Sequence, residues 1–573
     1  MKNILTLLCA IACLFANAQT IITPFEKDDN YSATYQEAVM HYQNLASQHK
    51  AFSFEPVGLT DAGEPFNLGV LSTDGDFNIE SLKRKNKLIV FINNGIHAGE
   101  PCGVDATMML VRDYLTNRKL RKKLKNIVLV VVPFYNVGGA LNRGSFSRAN
   151  QEGPHEHGFR GNAKNLDLNR DFIKCDSKNA RTFNQQFAAW QPDIFIDNHT
   201  SNGADYQYTL TLIAAQKDKL NATLSTYMQQ DMLPALYSKM SKTKYEMTPY
   251  VYARKTPDDG IFAFLDLPRY SSGYAALHNT IGFMPETHML KPFRDRVWSV
   301  HTFMNTMIDV LCEQGGSLQK ARLKTNEQVA KQEAFDVNWQ LDMSKEEQLT
   351  FKGYAAKYKP SEISGIDRLY YDRNEPWTKE IPFWNSYKAS LTIEKPKAYI
   401  IPQAYTEVLD RLRWNGVKMT ALSEAQAFEV EQYYIEKYED RAAYEGHYLH
   451  NKVEVRKERK TQQFKKGDWI IYTNQPCNRY IIETLEPQAP DSFFAWNFFD
   501  GILMQKEHFS GYVFEDLALD ILAHNPELKA QLKAKQAADE EFAKSARAQL
   551  DFIYKNSAHY EKTHNRYPVV RVL

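Results

Sequence analysis

His97 and Glu100, in Asn94-Gly95-Ile96-His97-Ala98-Gly99-Glu100-Pro101, are two potential metal ligands three residues apart, and His199, in Asp193-Ile194-Phe195-Ile196-Asp197-Asn198-His199, is a third. Two imidazoles and one carboxylate with the fourth position open form a donor set of catalytic zinc; structural zinc takes four protein ligands, usually with thiolates. Zinc lowers the pKa of its water, and amide hydrolysis then needs a base to take a proton and pass it to the leaving amine. Glu286, in Ile281-Gly282-Phe283-Met284-Pro285-Glu286, stands where such a base is needed, after a strand-like run. Asn169-Arg170 is a ready carboxylate clamp, because a guanidinium fork matches a carboxylate bidentately. Asp167 is placed to accept from the far nitrogen of His97, and Arg148 to polarise a scissile carbonyl.

Spacing alone does not select the site, since His-x-x-Glu recurs at His524-Asn525-Pro526-Glu527. There Asn525 reads as a helix N-cap, Pro526 as the first helical residue and Glu527 as a first-turn acid. His155 and His157, in Gly153-Pro154-His155-Glu156-His157-Gly158, read as an exposed loop along the cleft, because no strand anchors them.

The elements that must carry these residues alternate. Leu88–Ile92, Ile127–Val132, Asp193–Ile196 and Ile281–Met284 read as buried strands, with helical patterns at Val104–Leu115, Ala180–Trp190, Leu220–Met240 and Trp298–Cys312. That order predicts an α/β sandwich with a largely parallel or mixed sheet, whose ligands gather at the C-terminal ends of its strands. Gln314-Gly315-Gly316-Ser317 reads as the start of a connection. Beyond it, Trp377, Trp384, Trp469 and Trp496 fall among short strands and turns, Phe493–Phe499 reads as core or interface, and Pro526–Leu550 as one long charged helix. The division expected is a signal segment at 1–18, a catalytic domain at 19–325 and a C-terminal α+β accessory domain at 334–573.

Length, at 573 residues, requires more than one core, and a formal net charge of +1 provides no long-range field for nucleic acid. Lys2, the apolar run Ile4–Phe15 and Ala16-Asn17-Ala18 form a secretory signal with cleavage after Ala18. The expected location is therefore secreted or periplasmic, with no transmembrane anchor after cleavage; a lipoprotein site at Cys13 is the lesser reading. No G-x-S-x-G, G-x-G-x-x-G or Walker sequence is present, which removes support for serine-hydrolase or nucleotide chemistry.

The ordered set His97-Ala98-Gly99-Glu100, Asn169-Arg170, Ile196-Asp197-Asn198-His199 and Glu286 resembles the zinc metallocarboxypeptidases typified by carboxypeptidases A and B, over about Tyr31 to Cys312. The resemblance implies an α/β/α sandwich around a mixed eight-stranded sheet and one zinc ion held by His97, Glu100 and His199. It also implies Glu286 as general base, Asn169 and Arg170 on the terminal carboxylate of a peptide, and Asp167 as partner of the first histidine. Tyr135-Asn136-Val137-Gly138-Gly139 resembles the family's Asn-Pro-Asp-Gly turn, which selects Arg148 over Arg143 and Arg160 as the oxyanion arginine. Tyr270 is preferred to Tyr274 as the substrate-capping tyrosine. The expected activity is removal of the C-terminal residue of peptides. The rival expectations are a zinc amidase or deacylase acting on peptidoglycan stem peptides or acyl-amino acids, and a catalytically silent secreted binding protein.

Overall fold

The computed structural model describes residues 21–573, so the expected signal segment, Ala18 and Cys13 lie outside the described residues. Among the described residues no helix is long and apolar enough to cross a membrane.

Nine strands build the main sheet. They are β1 (Phe52–Leu59), β2 (Pro65–Leu71), β3 (Leu88–Asn93), β4 (Ile127–Val132), β5 (Ile194–Asp197), β6 (His199–Ser201), β7 (Leu210–Ala214), β8 (Met247–Pro249) and β9 (Ile281–His288). Their order is β1-β2-β4-β3-β5-β9-β7-β8, with β6 also on β9. The β3–β4, β3–β5, β5–β9 and β7–β8 pairs are parallel, and β1–β2, β2–β4 and β9–β7 are antiparallel. Because β5 and β6 are consecutive and both run parallel to β9, they occupy one strand lane broken at Asn198. The eight-lane mixed sheet of the sequence-based expectation is thus present.

Both faces of the sheet are covered, which is why its central strands are apolar without alternation. Val90 and Ile92 enter one core with the helices α1 (Tyr35–Gln48), α2 (Cys102–Thr116) and, further along the chain, the long helix Phe293–Lys331. Ile89 and Phe91 point the other way, as successive strand residues must, into a core shared with Phe183, Phe187 and Trp190 of α3 (Lys178–Trp190). That second core continues into the C-terminal half through Tyr399, Leu412, Tyr480, Phe494 and Trp496. The aromatic run Phe493–Phe499 therefore lies where the two halves are packed together.

Three expectations need correction. The connection read at Gln314–Ser317 is instead part of one continuous helix, Phe293–Lys331. Gly315 is there for close packing: a Cβ on it would fall 2.2 Å from Leu88 Cδ1, so the glycine lets the helix approach β3. The single helix read at Pro526–Leu550 is three, Pro526–Ala538, Glu540–Lys544 and Ala546–Lys555, because Asp539 and Ser545 cap new starts by accepting from Phe542 N and Ala548 N. The short strands expected after residue 334 include two long antiparallel ribbons, Glu347–Pro360 with Asp367–Trp384 and Gln426–Glu439 with Asn451–Phe464.

Candidate active site

The C-terminal ends of β3, β4 and β5 are tied together before any chemistry begins. Asn94 Nδ2 donates to Val132 O at 3.0 Å, and Asn198 Nδ2 donates to Asn94 Oδ1 at 2.7 Å. The chain leaves β3 through Gly95, at φ +61°, where a Cβ would sit 2.9 Å from Phe134 Cδ1; only glycine suits that turn. His97 and Glu100 follow, closed by Glu100 N donating to His97 O at 2.9 Å, immediately before α2. His199 opens β6, and in the parallel β6–β9 pairing its register partner is Glu286.

His97, Glu100 and His199 are buried, and one donor atom from each lies within 4.8 Å of the others. The far nitrogen of each imidazole is taken: His97 Nε2 lies 3.0 Å from Asp167 Oδ1, and His199 Nε2 2.8 Å from Asp197 Oδ2. Carboxylates on the far nitrogens leave both Nδ1 atoms as the inward donors, the arrangement that orients metal-binding histidines. His97 Nδ1 is buried and makes no hydrogen bond, although a buried polar atom ordinarily finds a partner. An orphaned imidazole nitrogen beside a carboxylate and a second imidazole, with no thiolate in the group, fits a zinc ion with an open position.

Glu100 is held from two sides, its Oε2 accepting from Thr200 N at 2.8 Å and its Oε1 from Arg148 Nη1 at 2.9 Å. Burial opposes its charge, but His97 and Arg148 outweigh burial and hold Glu100 well below the usual carboxylate range. For Asp167 burial again opposes, and His97, Arg160 and Arg170 keep it ionised far below that range. His199 is raised above an ordinary histidine because Asp197 and Glu100 overcome the burial penalty. Glu286 goes the other way: burial, with the Glu100 charge adding to it against the opposing His199, pushes it up to about 7. Carboxylates driven apart in this way are the pattern expected when one is a ligand and the other moves protons.

His97, Glu100, Arg148, His199 and Glu286 line a cleft of about 380 Å³, together with Arg160, Asn169, Arg170, Tyr270 and the apolar wall Ile213, Tyr250, Phe264 and Met284. Residues 37–293 match the family model Peptidase_M14, described as zinc carboxypeptidase. Carboxypeptidase 2 of Trichophyton tonsurans is 23% identical over 431 residues, covering 71% of this chain and 73% of the relative. Carboxypeptidase 2 of Trichophyton rubrum is 22% identical over 475 residues, covering 79% of this chain and 81% of the relative. Among solved structures, carboxypeptidase A from Helicoverpa armigera aligns with a TM-score of 0.40 at 13% identity, covering 55% of this chain and 82% of that one. Residues 37–293 thus match a zinc carboxypeptidase domain, and these relatives support a metallopeptidase.

Within the carboxypeptidase domain, Asn169 Oδ1 accepts from Ser271 N at 3.0 Å, which commits the amide oxygen and leaves Nδ2 as a donor. Arg170 stacks over Tyr270, its guanidinium carbon 4.5 Å from the ring centroid. Tyr274, the other tyrosine considered, is far from this role: it is fully buried and donates to Asn415 Oδ1 at 2.6 Å. Arg148 borders the cleft with its guanidinium already committed, Nε to Gln151 Oε1 at 2.6 Å, Nη1 to Glu100 and Nη2 to Thr200 O at 2.9 Å. Arg160 is anchored to Asp167 Oδ2 by Nε and Nη2, at 2.9 and 2.8 Å, and its side chain is 44% exposed against 14% for Arg148. His155 and His157 are not part of the ligand group.

Sequence reasoning assigned no role to Asp197, Tyr250 or Phe264. The signal for Asp197 was present, since an acid two residues before a candidate ligand histidine is as well placed as Asp167. Tyr250 and Phe264 come from a stretch with no motif, and only folding brings them to the wall.

Proposed function

We propose that this chain is an exported zinc metallocarboxypeptidase that removes the C-terminal residue of peptides, with His97, Glu100 and His199 as the zinc ligands. The observation that carries the reading is the convergence of those three donors beside Glu286, in a cleft that also holds Asn169 and Arg170. Zinc bound there would polarise the scissile carbonyl and bring the pKa of a water to near neutrality. Asn169 and Arg170 hold the terminal carboxylate, fixing the last amide in one place. Glu286 takes a proton from the attacking water and returns it to the leaving amine. A group whose pKa lies near the working pH does both well.

For the oxyanion we assign Arg160 in place of Arg148. Arg148 spends its donors on Gln151, Glu100 and Thr200, whereas Arg160, with the more exposed side chain, reaches Glu100 Oε1 only through a long Nη1 contact of 3.5 Å. Ile213, Phe264 and Met284 offer an apolar surface for the side chain of the departing residue, favouring apolar C-terminal residues. Export rests on Lys2, the Ile4–Phe15 run and Ala16-Asn17-Ala18.

The test is mass spectrometry of a defined peptide library incubated with the zinc-loaded protein. Loss of single C-terminal residues, apolar ones first, is expected. Internal cleavage, or no cleavage at all, would overturn the assignment.

A further inference from the structure

The clamp does not stand on the carboxypeptidase domain alone. Arg170 Nε donates to the hydroxyl of Tyr444 at 2.9 Å, across 274 residues of sequence, while Nη1 donates to Asn169 O at 2.8 Å. The next residue, Glu445, accepts through Oε2 from Asp167 N at 2.7 Å, and Asp167 is the residue whose side chain holds His97. One four-residue turn of the C-terminal half thus touches both the clamp arginine and the partner of a ligand histidine.

That turn is shaped for the contact. Tyr444 N donates to His447 O at 2.7 Å and His447 N to Tyr444 O at 3.1 Å, with Glu445 and Gly446 between them at φ +50° and +85°. Positive φ at both central positions is the tight type I′ hairpin turn, where asparagine or glycine is the usual first residue. Glutamate at such a position strains the backbone, and its charge-assisted bond to Asp167 N opposes that strain. The turn is also braced: His447 Nε2 lies 2.7 Å from Asp176 Oδ2, and the Tyr444 ring stacks on Trp496 at an interplanar angle of 25°. Arg269, adjacent to Tyr270, lies 5.2 Å over Trp496 and is fixed by Asp491 at 2.8 Å.

We propose that Tyr444 and Glu445 are positioning residues of the carboxylate clamp, so that the C-terminal half sets the affinity for the free carboxylate of the substrate. Tyr444 occupies the Nε edge of Arg170, and Nη1 donates to Asn169 O and lies 3.7 Å from Asp167 Oδ2; Nη2 has no hydrogen-bond partner among the described residues. The guanidinium is thereby held in one rotamer with its remaining donors ready for a carboxylate, and less side-chain entropy is lost when substrate binds. This rests on the carboxypeptidase reading above.

The test uses the full zinc-loaded chain and a peptide with an apolar C-terminal residue. Tyr444→Phe keeps the ring stack and removes only the hydroxyl. On the order of a tenfold rise in KM is expected, with kcat, zinc content and melting temperature unchanged, because a hydrogen bond to a charged group is lost. Glu445→Gly, which relieves the backbone while removing the carboxylate, should raise KM in the same direction. An unchanged KM in both variants, or a loss of kcat that follows zinc content, overturns the proposal and leaves the carboxypeptidase reading intact. If the wild-type protein releases no C-terminal residue, both fall together, since the turn would then have no clamp to position.

Discussion

The same spacing, His-x-x-Glu, occurs twice in this chain and leads to opposite ends. At His97 and Glu100 both side chains are 4% exposed, and Nδ1 lies 3.2 Å from Oε1 without making a hydrogen bond. At His524 and Glu527 the histidine side chain is 79% exposed and within 3.3 Å of its own helical neighbour Asp520. Asn525 there accepts from Leu528 N, and Pro526 starts the following helix, so the motif is a junction between two helices. The difference lies in what precedes each copy. A buried strand delivers His97 into a layer where every polar group must find a partner, and there its Nδ1 finds none in the protein. A surface helix delivers His524 into water, which demands nothing of it.

The largest test of this contrast is to remove one histidine from each copy. His97→Ala should abolish stoichiometric zinc and reduce peptidase activity to background, while His524→Ala should change neither; metal analysis and the peptide assay read both. Zinc retained at full occupancy in His97→Ala would remove that residue from the ligand set.

Glu286→Gln separates the base from the ligands. It should retain zinc and lose roughly 10²–10⁴-fold in kcat, the span of general acid–base catalysis. The wild-type pH profile supplies the sign. Burial raises Glu286 to about 7, and the group must be ionised to accept a proton, so kcat/KM should fall as pH drops through that value. A bound cation favours the carboxylate and moves this acid limb lower, never higher. A limb that rises toward acid would exclude Glu286 as the base.

The smallest effect belongs to the surface copy. Asn525→Ala removes the cap on Leu528 N and should cost about 1 kcal/mol of local stability. Hydrogen exchange in Pro526–Ala538 would report it, with the peptidase unaffected. A matching loss of activity would mean that the two copies communicate.

Much of the site was legible because it is written at strand ends. Four apolar runs, Leu88–Ile92, Ile127–Val132, Asp193–Ile196 and Ile281–Met284, read as strands from sequence, whereas Leu210–Ala214 does not; the polar residues following those four converge because parallel strands deliver their C-terminal ends to one edge. Arg160 and Arg148 show the limit. Both lie between Asn136 and Asp167, and no residue type or spacing reveals which guanidinium is held by Gln151, Glu100 and Thr200 and which is anchored to Asp167 with the more exposed side chain. The hairpin β1–β2 was missed because Phe52–Leu59 has irregular burial, with Pro56 and Gly58 at a shift in its register. The glycine pair at 315–316 was read as a break, since sequence does not distinguish a glycine that ends a helix from one that lets Leu88 come close.

Sequence by itself determined the layered α/β order and supplied the candidate donor set, base and clamp, because a buried sheet restricts hydrophobic pattern and metal chemistry restricts residue types. Tertiary structure alone decided how Arg148 and Arg160, which both line the cleft, divide their hydrogen bonds, and that Tyr270 borders it while Tyr274 is buried. It also brought Tyr444 and Glu445, hundreds of residues away, onto the clamp. The reason is physical: residue type sets which bonds a side chain can make, but only packing decides which of those bonds are already made.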